Sequence, residues 1–261
     1  MQITSLQNTR IKQLLALRER KEREKTGLML VEGYDELMTA LASGSVPREI
    51  FYSTALFRDP AQGAALQSIP EHQRVEVTAR VFEKIAYRNN PDGWLAKFDI
   101  PHKRLDALRL SEKPCVIVSE GVEKPGNLGA MLRTADAAGV DALISCDPLA
   151  DWGNPNVVRA SKGALFTVQV TDASNAETLA WLREKGLQIV AATPQATLSY
   201  TEANFTGATA IVVGTEHEGL TDEWLQAADV RVQIPMFGKV NSLNVSIATA
   251  LLVYEVVRQR R

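Results

Sequence analysis

The alternation of hydrophobic and polar positions divides the first hundred residues into short strands and helices. An amphipathic helix is predicted from about Ser5 to Arg23, because apolar residues recur there at helical spacing. The apolar runs that follow predict strands at 28–31, 50–52, 75–77 and 93–100, and helices at 34–41 and 79–85. We therefore expect a small α/β unit that ends near residue 100.

The rest of the chain has a different pattern, which is typical of a parallel sheet. Residues 101–113 mix charge with proline and are predicted to form a linker. The predicted strands beyond it are 114–118, 142–144, 166–170, 188–192 and 210–213, and the predicted helices are 127–138, 176–185 and 247–257. Near-continuous apolar strands of this kind are buried on both faces. The expected fold class is α/β, with a small domain over 1–105 and a parallel-sheet domain over 106–261.

Composition places the chain among ordinary globular proteins, with 45% apolar and 23% charged residues. No apolar run is long enough to cross a bilayer, and the first residues lack a signal-peptide pattern, so we expect a cytoplasmic protein without a membrane partner. Cys115 and Cys146 lie in apolar runs and are predicted to be buried free thiols. The three histidines are scattered, so no metal site is predicted.

The charge distribution leaves two interpretations open for the N-terminal helix. The net charge of −2 argues against a protein coated with nucleic-acid-binding charge, yet residues 1–25 carry seven basic and only three acidic residues. Pairs four residues apart, Glu19 with Arg23 and Arg20 with Glu24, are typical of a solvated helix face. The alternative is an arm that contacts RNA phosphates. Its contact residues would be Arg18, Arg20, Lys21 and Arg23.

Three polar segments in the second domain could carry chemistry. They are 127–135 (NLGAMLRTA), 214–220 (GTEHEGL) and 234–246 (IPMFGKVNSLNVS). The second segment follows an apolar strand, and the third leads into an apolar helix, so both can offer backbone groups to a small ligand at a sheet edge. A G-x-G-x-x-G sequence after the first strand and a P-loop are both missing, which disfavours dinucleotide and nucleoside-triphosphate enzymes.

In this order and at these separations, the segments resemble motifs one, two and three of the SpoU (TrmH-type) RNA ribose methyltransferases of the SPOUT superfamily. The resemblance covers about 114–257, and residues 30–33 (LVEG) are similar to the opening of a substrate-binding domain that some members carry. It implies methyl transfer from S-adenosylmethionine to a ribose 2′-hydroxyl of structured RNA, a deep C-terminal trefoil knot and a homodimer. The accessory domain favours ribosomal RNA over transfer RNA as the substrate.

By motif position, the resemblance assigns the cofactor contacts to Thr193, Gly214, Ile234 and Leu243. A glycine at 214 lets the backbone approach a ligand closely. Ile234 and Leu243 can enclose a flat adenine, although ordinary core packing would explain the same two residues.

The resemblance also implies a catalytic group, which consists of Arg133, Asn127, Glu216, Ser242 and Asn244. A guanidinium pKa lies above about 12, so Arg133 would be either a base in a strongly perturbed environment or a cation that stabilises the developing alkoxide. From the residues alone, Asn127 could simply cap a helix that begins near Leu128, and Ser242 or Asn244 could cap the last helix.

Arg159, with Ser161 and Gly163, resembles another segment of the family that faces RNA. Two other functions remain as alternatives: a non-catalytic RNA-binding or ribosome-assembly protein of the same fold, and an unrelated α/β enzyme for a small molecule. The presence of Asn127, Arg133 and Glu216 together argues against a protein that has lost its catalytic site.

Overall fold

The computed structural model describes residues 2–215 and 218–261. Their contacts separate two compact units. The first unit extends to Ile100 and also includes Asp151–Thr167, whereas the second comprises Pro101–Ala150 and Val168–Arg261. The chain therefore returns to the first unit over Asp151–Thr167, a return that a single expected boundary at residue 105 does not include.

The secondary structure confirms the predicted alternation of strands and helices. The helices are α1 (Thr9–Ala16), α2 (Arg20–Thr26), α3 (Tyr34–Ala42), α4 (Pro60–Ser68), α5 (Ala79–Ile85), α6 (Pro125–Ala138), α7 (Pro155–Ser161), α8 (Asn175–Glu184), α9 (Asp222–Ala227) and α10 (Val245–Arg260). The strands are β1 (Leu28–Glu32), β2 (Glu49–Tyr52), β3 (Arg74–Glu76), β4 (Trp94–Asp99), β5 (Cys115–Glu120), β6 (Ala142–Cys146), β7 (Gln169–Ala173), β8 (Gln188–Ala192), β9 (Leu198–Ser199), β10 (Thr209–Val213) and β11 (Val230–Gln233).

The first unit is built on a mixed four-stranded sheet of order β1-β4-β2-β3. Strand β4 is antiparallel to both β1 and β2, and β2 is parallel to β3. One face of the unit buries Ile11 and Leu14 of α1 with Phe82 of α5 against sheet residues such as Phe51 and Leu95. The apolar residues at helical spacing in α1 thus do what the sequence predicts, which is to cover the sheet.

The single helix predicted from Ser5 to Arg23 is wrong, because α1 and α2 are separated at residues 17–19. The residues at this break make two kinds of contact with the rest of the unit. Leu17 enters the core, and Arg18 donates hydrogen bonds from Nη2 to the carbonyl oxygens of Ile85 (2.9 Å) and Ala86 (2.8 Å) at the end of α5. In an uninterrupted helix, the backbone carbonyl groups of this stretch would accept hydrogen bonds from the backbone N–H groups four residues later. Instead, the carbonyl oxygens of Leu17 and Arg18 accept hydrogen bonds from Arg23 Nη1.

Arg23 is a buried structural residue rather than a phosphate contact. Its side chain is 2% exposed, and it donates from Nε and Nη2 to the two carboxylate oxygens of Asp151 at 2.8 and 2.7 Å. The expected pair with Glu19 is replaced by this one, whereas the pair between Arg20 and Glu24 forms at 2.6 Å. The phosphate contact expected for Arg23 is therefore not supported. Asp151 begins the returning segment, so the ion pair fixes that segment within the first unit.

Replacing Arg23 by Ala should destabilise the protein by about 3–5 kcal/mol, because the buried side chain of Arg23 would be lost and the half-buried carboxylate of Asp151 would lose its bidentate partner. Arg48 offers a matched control, since its ion pair with Asp99 is exposed. Its replacement by Ala should cost no more than about 1 kcal/mol. Urea unfolding measures both values. Equal losses in the two variants would contradict the structural role given to Arg23.

The second unit contains a seven-stranded sheet of order β7-β6-β5-β10-β8-β11-β9, and every strand pair in it is parallel. The central strands β5, β6 and β10 are buried along their whole length, as the near-continuous apolar runs predict. The predicted α/β class with a parallel sheet is thus confirmed.

One local prediction in this region is wrong. The strand predicted at 166–170 begins later, at Gln169, because Ala164–Phe166 form a 3-10 turn and the ring of Phe166 packs on Phe98 of the first unit, 5.1 Å between centroids. Residues 101–113, the predicted linker, form the stretch between the two sheets and group with the second unit. Their backbone is held there, for example by a hydrogen bond from Lys103 N to Val170 O of 3.0 Å.

Both cysteines are buried and unpaired, as predicted. Burial raises the pKa of the Cys115 and Cys146 thiols to about 12, which keeps both groups protonated at neutral pH. Among the residues that the structure describes, no helix combines the length and apolar character needed to span a bilayer.

Candidate active site

Three predicted ligand contacts lie at one edge of the parallel sheet. Strands β10, β8 and β11 are adjacent and parallel, so their carboxyl ends meet at the same edge. Gly214 follows β10, Thr193 follows β8 and Ile234 follows β11, each as the first residue after its strand. Gly214 and Thr193 are buried, whereas Ile234 is half-buried. Open α/β sheets bind ligands beyond the carboxyl ends of their strands.

Position 214 requires a glycine because the loop that follows it returns close to its Cα atom. The backbones of Thr215 and Gly219 exchange two hydrogen bonds, 3.0 and 3.2 Å long. This narrow closure brings the chain back beside Gly214, so that a Cβ atom there would lie only 2.1 Å from the carbonyl oxygen of Gly219. The sequence prediction gave Gly214 a role toward a ligand, and the structure adds this contact within the protein. The absence of a side chain shapes the loop itself.

A buried carboxylate that the sequence interpretation missed supports the other end of this loop. Glu120, the last residue of β5, is 4% exposed. Its oxygens accept hydrogen bonds from Thr221 N (2.9 Å) and Thr221 Oγ1 (2.7 Å), and from Asn175 Nδ2 (2.7 Å). Asn175 in turn accepts from Trp224 Nε1 of α9 at 2.8 Å. The available signal was a carboxylate at the end of a strand buried on both faces, which needs partners.

The motif-one and motif-three segments meet through a pair of asparagines. Helix α10 packs against α6, and Asn244 Nδ2 donates to Asn127 Oδ1 at 3.1 Å. Asn244 also caps α10, because its side-chain oxygen accepts from Ser246 N at 2.9 Å. The two predicted site residues are thus brought together. The helix cap expected at Asn127 is wrong, since α6 begins at Pro125, a residue suited to the first helical position, and Asn127 lies inside the first turn.

Two other predicted catalytic residues, Arg133 and Ser242, are exposed to solvent. Arg133 is exposed on α6, and its side chain makes no hydrogen bond or ion pair with a residue of the described ranges. Ser242 is exposed and Leu243 is half-buried, both in the segment that precedes α10. Glu216, which is predicted to be catalytic, and the neighbouring His217 lie outside the described residues.

Family models match nearly the whole chain. Residues 114–254 match the SpoU rRNA Methylase family, and residues 8–96 match the MRM3-like substrate binding domain. The chain belongs to the SpoU rRNA methylase family. The resemblance seen in the three motif segments is thereby confirmed, and it extends to the first domain.

Some relatives of this SpoU-family protein are similar over nearly their full length. The 23S rRNA (guanosine(2553)-2′-O)-methyltransferase RlmP of Bacillus subtilis is 30% identical, with 98% of each chain covered. A crystal structure of an RNA 2′-O ribose methyltransferase is 41% identical at a TM-score of 0.87, covering 100% of this chain and 99% of the other. An AdoMet-bound rRNA methyltransferase from Sinorhizobium meliloti is 27% identical at a TM-score of 0.91, covering 99% and 97%.

The residues predicted to contact RNA in this SpoU-family protein lie in its first unit. Arg20, Lys21 and Arg159 are exposed, whereas Arg18 is half-buried. Arg159 lies on α7, within the returning segment. Apart from Arg23, these side chains can still reach a polyanion.

The Gly214→Ala substitution should open the motif-two loop, because the added Cβ atom meets main-chain atoms that cannot rotate away. We expect a loss of about 1–3 kcal/mol in stability, the usual range for overpacking, and faster amide exchange at Thr215 and Gly219. Gly207→Ala is the control, because no atom lies within 4 Å of a Cβ built there. Thermal unfolding and hydrogen–deuterium exchange report both effects. Unchanged protection at Thr215 would show that the loop tolerates a side chain.

Proposed function

We propose that this protein transfers the methyl group of S-adenosylmethionine to a ribose 2′-hydroxyl of ribosomal RNA. The observation that carries the proposal is the arrangement of Thr193, Gly214 and Ile234 at one edge of the parallel sheet, in a chain that belongs to the SpoU family. The second unit provides the donor site and the reacting groups, and the first unit binds RNA. Its place of action would be the cytoplasm, where ribosomal RNA is available.

The residues at the sheet edge fit the donor. The narrow return at Gly214 brings main-chain groups to this edge, where they can hydrogen-bond the polar parts of a nucleoside. Ile234 and Leu243 are half-buried, so each keeps apolar surface that can contact an adenine ring. S-adenosylmethionine supplies a methyl group on a sulfonium, which is electrophilic without the help of a metal.

Arg133 is proposed to stabilise the reacting oxygen rather than to remove its proton. A hydroxyl acquires negative charge as it becomes a nucleophile, and a nearby guanidinium lowers the energy of that charge. Guanidinium groups keep their protons across the physiological pH range, which makes them poor bases. The exposed position of Arg133 leaves its donors available to an RNA ribose or phosphate. Asn127 and Asn244 hold α6, the helix that carries Arg133, against the start of α10. Ser242 precedes this junction and is assigned to the same group, together with Glu216.

The path of the C-terminal segment supports the proposed trefoil knot. Strand β11 lies two strands away from β10, on the far side of β8. Helix α10 nevertheless contacts α6, β10 and β5. Residues 234–244 must therefore cross back over the carboxyl edge of β8 and β10, where the loop after Gly214 also lies. A crossing in which one loop passes through the other closes the donor site from both sides.

Ribosomal RNA is preferred over transfer RNA as the substrate. The match to a substrate-binding domain supports it, and so does full-length similarity to an enzyme named for 23S rRNA. A non-catalytic assembly factor of the same fold would bind RNA without transferring the methyl group.

A homodimer is proposed from an apolar stripe on α10. Ile247, Leu251 and Tyr254 follow one another at helical spacing and are 52%, 38% and 49% exposed. Phe237 and Val240, in the segment before the helix, are also exposed. Apolar surface of this kind is typical of protein–protein contacts when it is contiguous.

Charged substitutions in this stripe should separate the subunits. The Ile247→Arg, Leu251→Arg double variant should sediment as a 28.6 kDa monomer, whereas the wild type should have twice that mass. Val46→Arg is the control, since Val46 is an exposed apolar residue of the first unit. A wild-type protein that sediments as a monomer at micromolar concentration would contradict the proposed dimer.

Kinetics of Arg133 variants test the proposed function most sharply. Arg133→Ala should lower kcat at least about 100-fold, the loss typical of an electrostatic stabiliser, while calorimetry shows donor affinity within about twofold of wild type. Arg133→Lys should recover part of the rate without a new ionisation in the pH profile. Arg104→Ala is the control, because Arg104 is highly exposed on the same unit. Failure of the wild type to bind the donor at millimolar concentration would refute the enzyme function. Equal loss of donor binding and rate would make Arg133 structural.

A further inference from the structure

A cleft within the first unit is lined by apolar side chains and by arginines. Leu30 of β1 and Leu95 of β4 lie in its lining, together with Val158 of α7. All three elements belong to the same unit, although α7 comes from the returning segment. The chain thus uses residues far apart in sequence to build this one surface. An apolar lining of this kind can accept a flat ring.

The cleft has more positive than negative groups in its lining. Arg18, Arg88 and Arg159 line it, against the single carboxylate of Glu32. Arg88 is already paired with the buried carboxylate of Glu36 at 2.7 Å. The guanidinium groups of Arg18 and Arg159 retain N–H donors that are available to a ligand.

The available donors belong to Arg18 and Arg159. Within the described residues, Arg18 donates hydrogen bonds through Nη2 alone, so its Nε and Nη1 keep donors that no described residue occupies. Arg159 is exposed, and its side chain has no hydrogen bond or ion pair within the described part of the chain. Guanidinium groups bind phosphate through two parallel hydrogen bonds, which suits them to a polyanion.

Tyr87 provides an aromatic surface beside these cations. Its side chain is 45% exposed and lines the cleft. The segment that carries it is fixed at several points. Glu32 accepts from Tyr87 N (2.7 Å) and Arg88 N (3.2 Å), and Arg58 Nη2 donates to Asn90 O (2.7 Å). A backbone segment held in place before binding loses little conformational entropy when a ligand stacks on the ring it carries.

Glu32 acts as a positioning residue in this arrangement. Burial raises the pKa of its carboxyl group, and the two backbone hydrogen bonds oppose that rise only in part. The carboxylate therefore orders the segment around Tyr87 at the cost of its own hydration.

We propose that this cleft binds one unstacked nucleotide of the RNA, with its base on Tyr87 and its flanking phosphates on Arg18 and Arg159. An aromatic ring between two phosphate-binding groups is the pattern by which proteins hold single-stranded bases. The inference rests on the proposed function, since it specifies how the first unit recognises the RNA.

The test uses the full-length protein without methyl donor and a fluorescein-labelled, 15-nucleotide single-stranded RNA. Tyr87→Ala should weaken binding about 5- to 150-fold, the range for loss of one base–aromatic stack, whereas Tyr87→Phe should remain within about twofold. Arg159→Ala should weaken binding and reduce the slope of log Kd against log salt by about one phosphate contact. Arg48→Ala, an exposed arginine of the same unit, should leave the slope unchanged.

Ultraviolet crosslinking to the same RNA, followed by mass spectrometry, should place a crosslinked nucleotide on the peptide that contains Tyr87. Wild-type affinity in both Tyr87→Ala and Arg159→Ala, or crosslinks confined to other peptides, would overturn the proposed cleft. Because these measurements need no donor, they separate the two hypotheses. A wild-type protein that binds RNA through Tyr87 but transfers no methyl group would contradict the proposed function and leave the cleft intact.

Discussion

The parallel direction of adjacent strands is the constraint on which this structure depends. Because β10, β8 and β11 run in the same direction, the residues that follow them are delivered to one edge although they lie up to 41 positions apart, from Thr193 to Ile234. An antiparallel strand would send one of them to the opposite edge. The narrow loop at Gly214 and the buried Glu120 network then fix the shape of that edge. The candidate donor site is thus a consequence of sheet topology, refined by a few side chains.

The chain runs from the first unit into the second, returns to the first over Asp151–Thr167 and then completes the second. This order bears on function. The SpoU family match spans 114–254, yet Asp151–Thr167 within it belong to the first unit. The buried ion pair between Arg23 and Asp151 fixes the beginning of this segment, and α7 then contributes Val158 and Arg159 to the cleft. The proposed RNA cleft is therefore assembled partly from the sequence of the methylase family itself. A change in the N-terminal unit and a change in α7 would act on the same RNA contact.

Sequence reasoning succeeded where a local signal decides the structure. Apolar runs buried on both faces identified the central strands, the end of α6 at residue 138 was predicted correctly, and Asn244 caps α10, one of the two caps considered. It failed where the deciding partner is distant. Nothing near Arg23 in the sequence points to Asp151, and the break between α1 and α2 exists because Leu17 and Arg18 meet a core built by later residues. The start of α6 was a missed local signal, since Pro125 favours the first helical position.

The most direct test of the account is to incubate the protein with isotope-labelled S-adenosylmethionine and unmodified total RNA, and to map the label by mass spectrometry. A single labelled ribose 2′-oxygen in ribosomal RNA is the predicted result. Label on a base, label confined to transfer RNA, or no transfer to any RNA would contradict the proposed reaction or its substrate.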